Sequence, residues 1–397
     1  MKNVSQTTAN LDVAAIIRRL KQTLDQYNSM QERLRIAVVG DFCLDKYLYV
    51  YPSLDEISVE TGIAARQIRA IKNYAGVGGT IANNLRALGA ETFCFGIVGD
   101  DGEGFDLLRA LKKVGANVEG MVVSPDIVTG TYMKPMTPDP ATNPENAAIT
   151  RILSPRPGEG AWIEGNRFDI RNPTQVPRHA VDELKKRFLK VLSTFDAVVV
   201  SDQFPLGSEA VFSKSFRAFL SEAALARPNV FFLCDSRFFV NSYRNMLVKC
   251  NASETLDAYE AAHGGALKRE TTLDFDAEDN LAGLLKAGRW LALRNHRPVL
   301  VTRGVKGSLL FQLEDDSDDP TISAINVPSN PIDPPIDICG AGDATNAGFA
   351  FGRSLGLSFI DSAYLAGIVS SITIKQLGVT GVATIPEILG VLRSKLN

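Results

Sequence analysis

Cysteine and histidine are scarce in this 397-residue chain, and those present are scattered. The five cysteines (Cys43, Cys94, Cys234, Cys250, Cys339) form no CxxC pair, and the three histidines (His179, His263, His296) lie far from them in sequence. A structural zinc site needs closely spaced ligands and a disulfide framework needs a dense, even set, so neither is expected. Charge of one sign is not in excess either. The 42 Lys+Arg against 45 Asp+Glu leave a net charge of −3, without the basic footprint of a protein that grips a nucleic-acid backbone. No apolar run approaches the roughly 18 residues of a membrane span, and residues 1–10 lack the apolar core of a signal peptide. A reducing, cytoplasmic setting with no nucleic-acid or membrane partner is the expectation. No GxxxxGK[ST] string occurs, which excludes a P-loop.

What is present is material for a large core, with 45% hydrophobic residues. Leu11, Ala14, Ile17, Leu20 and Leu24 recur at helical spacing, so an amphipathic helix forms an N-terminal extension over residues 1–33. From residue 34 to 397 the pattern is that of one α/β domain. Apolar runs at Ile36–Val39, Thr92–Val98, Ala197–Val200, Val230–Leu233 and Val299–Thr302 alternate with helical patterns at Ile81–Leu88, Phe105–Val114, Asp182–Leu192, Ala210–Leu225 and Ala277–Leu293. Near-continuous apolar strands in βα repeats predict a mostly parallel sheet covered by helices on both faces, a three-layer fold. Tyr47–Tyr51, Gln67–Tyr74 and Gly130–Met136 alternate instead, which predicts antiparallel strands of a small lid built from segments at about 43–75 and 130–170. Short strands are expected at Ala147–Leu153 and Arg167–Ile170, and a solvated hairpin tip at the acidic run Glu314–Asp319. The lid's apolar residues (Tyr47, Tyr49, Ile68, Ile71, Tyr132, Met133) predict pairing of two lids in a homodimer.

Chemistry concentrates at Asp337-Ile338-Cys339-Gly340-Ala341-Gly342-Asp343-Ala344-Thr345. Small residues opening a helix leave its first N–H groups free, and these donors with the helix dipole favour an anion at Gly340, Ala341 and Gly342. Asp343, just inside the helix, is placed to act as general base for an attacking hydroxyl. An ordinary glycine-rich turn with a capping aspartate is the plainer alternative.

The segment resembles the C-terminal signature of the ribokinase, or PfkB-type, carbohydrate kinases, an Asp-Thr-x-Gly-Ala-Gly-Asp string ending in the catalytic aspartate, with Ile338 in place of Thr. Further stations follow the family's order. Val39-Gly40-Asp41-Phe42-Cys43-Leu44-Asp45 is similar to the first strand with its sugar-binding aspartate. Gly96–Gly104 resembles the strand-turn-helix after the glycine region, Asn251-Ala252-Ser253-Glu254 the Asn-x-x-Glu, and Thr302-Arg303-Gly304-Val305-Lys306-Gly307 the nucleotide-side loop. The resemblance covers almost the whole chain from about Arg35 and implies a ribokinase-like fold, ATP and Mg²⁺. It implies Asp45 and Asp41 toward a sugar or sugar-phosphate substrate. Asn251 and Glu254 would position Mg²⁺ through water, and Thr302, Gly304 and Gly307 would shape the nucleotide pocket. Each has a plainer alternative: a turn-capping Asp45, a helix-start Asn-x-x-Glu and a simple hairpin at Gly304–Gly307. Gly78 and Gly79 fall near substrate, with Thr80 in the place of a family asparagine if the following helix keeps the family length; in the alternative register Asn83 takes that place. Whether a monovalent cation assists near Asp337 stays open.

Gly40–Asp45, Ser58–Ile63 and Ser201-Asp202 are similar to the heptose-phosphate kinase branch. Cys43 and Gly367 stand where family members often carry Asn, so the acceptor is not named by these residues. Two other function classes compete. A Rossmann oxidoreductase fails because Gly340-Ala341-Gly342-Asp343 lacks the third glycine and a following βαβ unit. A noncatalytic binding or regulatory protein on the same fold is disfavoured by the retention of Asp343, Asn251 and Glu254.

Overall fold

The computed structural model describes residues 11–141, 162–172, 175–204, 212–265, 280–315, 317 and 320–396. Helix α1 (Val13–Ser29) starts at Asp12, whose side chain accepts from the Ala15 N–H, and buries the stripe Ile16, Ile17, Leu20, Leu24 and Tyr27. Then come β1 (Arg35–Gly40), β2 (Phe42–Val50), the two-residue strands β3 (Glu56–Ile57) and β4 (Ala64–Ala65), β5 (Ile68–Val77), α2 (Gly78–Ala87), β6 (Glu91–Phe95), β7 (Ile97–Gly99) and α3 (Gly102–Lys113). The middle of the chain gives β8 (Val122–Ser124), β9 (Thr131–Pro138), β10 (Trp162–Glu164), β11 (Phe168–Ile170), α4 (Arg178–Val191), β12 (Ala197–Asp202), α5 (Lys214–Ala226) and β13 (Phe231–Ser236). The remainder is β14 (Leu247–Asn251), α6 (Ala252–Ala262), α7 (Leu281–Asn295), β15 (Val299–Thr302), β16 (Ser308–Leu313), β17 (Ile322–Val327), α8 (Ala341–Ser354), α9 (Phe359–Thr373) and α10 (Ile385–Ser394).

Eight strands form the central sheet in the order β17-β16-β15-β14-β13-β12-β1-β6. All neighbours from β6 to β15 are parallel, and β16 and β17 add an antiparallel edge. Alternate residues of β1 enter opposite cores. Ile36 and Val38 join the layer of α1, α2, α8, α9 and α10, while Ala37 and Val39 join that of α4, α5 and α7. Burial on both faces is why these strands read as unbroken apolar runs.

The lid is a second sheet, β10-β9-β2-β5, with β11 also on β9. One expectation is corrected here: β2 and β5 are antiparallel, but β2 and β9 run parallel. Alternation reports which face a residue takes, and it carries no strand direction. The expected Thr92–Val98 strand is also divided at Gly96, where a Cβ would sit 2.6 Å from the Phe42 ring. Tyr47, Tyr49, Tyr51 and Met136 form a small core of the lid's own, with Trp162 packed on it. Tyr47 and Tyr49 are therefore covered without a partner, whereas Ile68 and Ile71 are exposed. The acidic run joins the antiparallel pair β16 and β17 as a hairpin, its residues 316, 318 and 319 lying outside the described ones. The strand expected at Ala147–Leu153 and the starts of the helices expected from Ala210 and Ala277 lie outside them too.

Candidate functional site

Three segments meet at the carboxyl ends of the parallel strands, where ligands bind in open α/β sheets. Gly340 caps α8 with φ +78°, and a Cβ there would lie 3.2 Å from the methyl of Thr80. That contact brings the first turn of α2 to the first turn of α8. A left-handed φ strains any residue with a side chain, so glycine has a backbone reason here. At Gly342 the nearest atom to a Cβ would be the Lys249 ammonium, at 3.1 Å.

Lys249 was not singled out by the sequence reading, nor were Asp235 and Asn346. Lys249 is buried near the end of β14, and its Nζ lies 2.8 Å from Oδ2 of Asp235 at the end of β13. The same oxygen accepts from Nδ2 of Asn346 in α8 at 2.6 Å. The available signal was a charged residue inside the run Leu247-Val248-Lys249-Cys250, since an ammonium inside a core strand needs a partner. Burial disfavours the Lys249 ammonium, but Asp235, Glu254 and Asp343 outweigh it and raise its pKa. Asp343 is pushed up to about 8 by burial and the charge of Asp235, against the pull of Lys249, with Asp45 adding a smaller rise.

Asn251 and Glu254 form a reciprocal capping box at the start of α6. The Glu254 N–H donates to Asn251 Oδ1 at 2.8 Å, and the Asn251 N–H donates to Glu254 Oε2 at 2.8 Å. The plainer helix-start reading is thus realised, and one oxygen of Glu254 is engaged. Burial and Asp235 nevertheless push Glu254 up to about 7. Thr302 is the register partner of Asn251, and its hydroxyl donates to the Cys250 carbonyl at 3.3 Å. Gly304 and Gly307, both at positive φ, turn β15 into β16 as a hairpin. The space left at Gly307 is taken by the chain itself, since a Cβ would be 2.2 Å from the Val327 carbonyl oxygen.

The space at Gly78 and Gly79 is likewise taken by the chain itself. A Cβ on Gly78 would sit 2.8 Å from the Asp41 carbonyl oxygen, and one on Gly79 2.4 Å from the Ala75 Cβ. Both glycines allow close packing of α2. Thr80, buried beside Gly340, is the member of this cluster that reaches the anion turn. Asn83 lies one helical turn further along α2.

On the lid side, Asp45 of β2 pairs with Lys134 of β9, Oδ1 to Nζ at 3.0 Å, with both side chains nearly buried. Burial opposes the Lys134 charge, but Asp45 and Tyr47 outweigh it and raise its pKa. Asp41, at the turn from β1 to β2, accepts from the backbone N–H groups of Gln203 and Phe204 at 2.8 and 2.9 Å. Burial and Asp202 push it up to about 7. Asp337 ties the anion turn down: Oδ1 accepts from the Cys339 N–H and Oδ2 from the Gly378 N–H.

Asp45, Asp235, Glu254 and Asp343 thus set four carboxyl groups around the ammoniums of Lys134 and Lys249, and a hydrated divalent cation would favour the ionised forms of Glu254 and Asp343, whose pKa values are raised without one. Among the described residues no group of three or more His, Cys, Asp or Glu could cage a metal directly. This donor set fits Mg²⁺ held largely through water and phosphate oxygens, its usual mode. Among the described residues no helix is long and apolar enough to cross a membrane.

Comparison with known proteins agrees with this architecture. Residues 33–147 and 178–386 match the model of the pfkB family carbohydrate kinases. Bifunctional protein HldE of Sulfurimonas denitrificans is 24% identical over 346 residues, 87% of this chain and 61% of that protein. HldE of Coxiella burnetii is 27% identical over 361 residues, 91% and 64% respectively. The chain therefore spans less than two thirds of the length of these relatives. Phosphofructokinase-2 from Escherichia coli, solved with potassium, superposes with a TM-score of 0.64 at 17% identity, covering 91% of this chain and 99% of that one. Arabidopsis thaliana ribokinase, solved with ribose and ATP, gives 0.59 at 16% identity, covering 91% and 99%. With a family match over most of its length and a ribokinase-like fold, the chain belongs to the pfkB family of carbohydrate kinases.

Proposed function

We propose that the protein transfers the γ-phosphoryl group of ATP to a hydroxyl of a sugar or sugar phosphate. The observation that carries this reading is the convergence, within one helical turn, of the Gly340–Gly342 turn, the Asp343 carboxylate and the Lys249 ammonium. Asp343 takes the hydroxyl proton as the new O–P bond forms and the bond to the departing ADP oxygen breaks. The N–H groups at the start of α8 and the Lys249 ammonium bear the charge on the transferring group, the kind of preorganised electrostatics that phosphoryl transfer depends on. Mg²⁺, when bound with ATP, neutralises phosphate charge and orients it. Glu254 and Asn251 would position that ion through water, while Thr302 and the Gly304–Gly307 hairpin would border the nucleotide. Asp45 accepts hydrogen bonds from the acceptor, and Thr80 packs beside it. The lid excludes water that would otherwise compete for the phosphoryl group.

The resemblance to heptose-phosphate kinases and the HldE relatives support an acceptor that already carries phosphate. Of the lid cations, Lys134 is committed to Asp45 and Arg66 to Asp55. Lys72 lies over the Tyr49 ring with a pKa lowered by burial, and with Arg69 it is better placed for a phosphate. We place the protein in the cytoplasm, as a homodimer joined through the lids. Coupled ADP release across a panel of sugars and sugar phosphates tests the activity. A matched pair with and without phosphate should differ in kcat/KM in favour of the phosphate, and release with no member of the panel overturns the proposal.

A further inference from the structure

A groove of about 370 Å³ opens at the amino ends of β13, β14 and β15, the edge of the sheet opposite the Gly340–Asp343 turn. Val230, Met246 and Pro298, each one residue ahead of its strand, line it, and so do Arg297 and Arg353. Arg353 lies in the last turn of α8, a helix of 14 residues, so a rise of roughly 20 Å parts it from the catalytic turn. Its guanidinium is held in place: Cζ lies 4.1 Å from the centroid of the Phe359 ring and 5.6 Å from that of Phe231, and Nη1 donates to the Leu357 carbonyl. Its Nε is buried without an acceptor. Arg297 is exposed and donates to the His296 carbonyl. Among the described residues neither guanidinium is ion-paired to a carboxylate. In a chain with 45 Asp and Glu against 42 Lys and Arg, two cations left without a counter-charge on one groove are not explained by a shortage of acids.

Two further arginines raise the charge of this edge. Arg244 Nη1 and Arg294 Nε donate to one carbonyl, that of Asn241, at 2.9 and 3.1 Å, and neither has a carboxylate partner among the described residues. The residues that follow them are joined as well: the Asn245 N–H donates to the Asn295 carbonyl at 3.1 Å, and Asn245 lines the groove. Burial and the charge of Arg294 lower the Arg244 pKa, and burial lowers that of Arg353. An anion nearby would favour the charged form of both. Against them stand the carbonyl end of α8 and Asp196, whose Oδ2 accepts from the Arg35 N–H at 2.7 Å. Among the described residues that line the groove, two guanidiniums face this one carboxylate, and the wall is left positive. We propose that the groove is a second anion site, separate from the catalytic one, which takes a phosphate group, free or on a small metabolite, between Arg297 and Arg353. A phosphate carries roughly two negative charges near neutral pH, enough for both guanidiniums, and their forked N–H donors suit its oxygens. A monocarboxylate answers only one of them. The volume is that of a small-molecule pocket, of the order of a few hundred Å³. Binding there requires no turnover.

Isothermal titration calorimetry of the whole chain at constant ionic strength tests this, with inorganic phosphate, ribose 5-phosphate, AMP and acetate as probes. Wild type, Arg297→Glu, Arg353→Met and Gly342→Val are compared. Loss of one charged donor should weaken phosphate binding at least about 10-fold in Arg297→Glu and in Arg353→Met. Gly342→Val places a branched side chain in the catalytic turn against the Lys249 ammonium, and phosphate binding in the groove should stay within about twofold of wild type, as for distant sites. Arg297→Glu changes an exposed side chain, and it decides the matter should Arg353→Met fail to fold. Tightest binding by inorganic phosphate assigns the groove to the free ion, and tighter binding by ribose 5-phosphate or AMP assigns it to a phosphorylated metabolite. Acetate should bind at least about 10-fold more weakly than phosphate. The inference is overturned if no probe binds wild type, if acetate binds as tightly as phosphate, or if Gly342→Val abolishes all binding while Arg297→Glu leaves it intact. That last result would put the anion at the catalytic turn. Each of these outcomes leaves the kinase reading standing, since ADP release with a sugar tests that separately.

Discussion

Asp343 carries two demands at once, because the burial that brings a carboxylate close to a reacting hydroxyl also disfavours its charge. Asp343→Asn keeps the shape and removes the base, and turnover should fall by roughly 10²–10⁴-fold. Steady-state rates with the best acceptor measure this, and retention of more than about a tenth of wild-type turnover would remove Asp343 from that role. Stability should move the other way. The folded pKa, about 8, lies far above the ordinary carboxylate value, so neutral Asp343 favours the fold. That contribution is complete below about pH 4 and is lost as pH rises through 8. Asparagine cannot ionise, so the variant's melting temperature should gain on wild type between pH 5 and 9, and parallel curves would count against the raised pKa. Lys249 needs a paired design. Lys249→Met leaves Asp235 as an unpaired buried charge, at a cost of about 3–5 kcal/mol. Adding Asp235→Asn should restore much of the melting temperature without restoring kcat; recovery of both would make the pair purely structural. Legibility differed at this scale. Asp343, Asn251 and Glu254 sit in spaced strings and could be read, whereas Lys249, Asp235 and Asn346 come from three separate elements and only the fold makes them neighbours.

At the level of elements, the start of α6 combines a cap with a proposed metal-positioning group. Glutamine serves in a capping box as well as glutamate does, so Glu254→Gln should leave the melting temperature nearly unchanged while raising the Mg²⁺ concentration for half-maximal rate. A titration at fixed ATP checks this, and an unmoved midpoint would leave Glu254 as a cap alone. The lid poses a question of its own. With Tyr47 and Tyr49 already covered, the apolar surface it presents includes Ile57, Val59, Ile63, Ile68, Ile71, Ile163 and Phe168. Ile71→Asp should therefore convert a dimer to a monomer in sedimentation at micromolar concentration, and a wild-type monomer would refute lid pairing. Strands β2, β5 and β9 of the lid were legible from their alternation, whereas β10 at Trp162–Glu164 was not, nor was the parallel pairing of β2 with β9, because strand direction is decided by the route of the chain between them.

Across the whole molecule, the apolar runs and βα rhythm made the three layers legible, since burial on both faces leaves a plain mark in sequence. The order of strands left no such mark. β1 lies between β12 and β6, so a strand made early receives one of its neighbours only after much of the chain has followed. During synthesis this order separates the two sides of the site. β1, the lid strands and Asp45 emerge from the ribosome long before Lys249, and the Gly340–Asp343 turn follows later still. Any chain that stops short of β14 therefore carries residues proposed to hold the acceptor but none of those proposed to move a phosphoryl group.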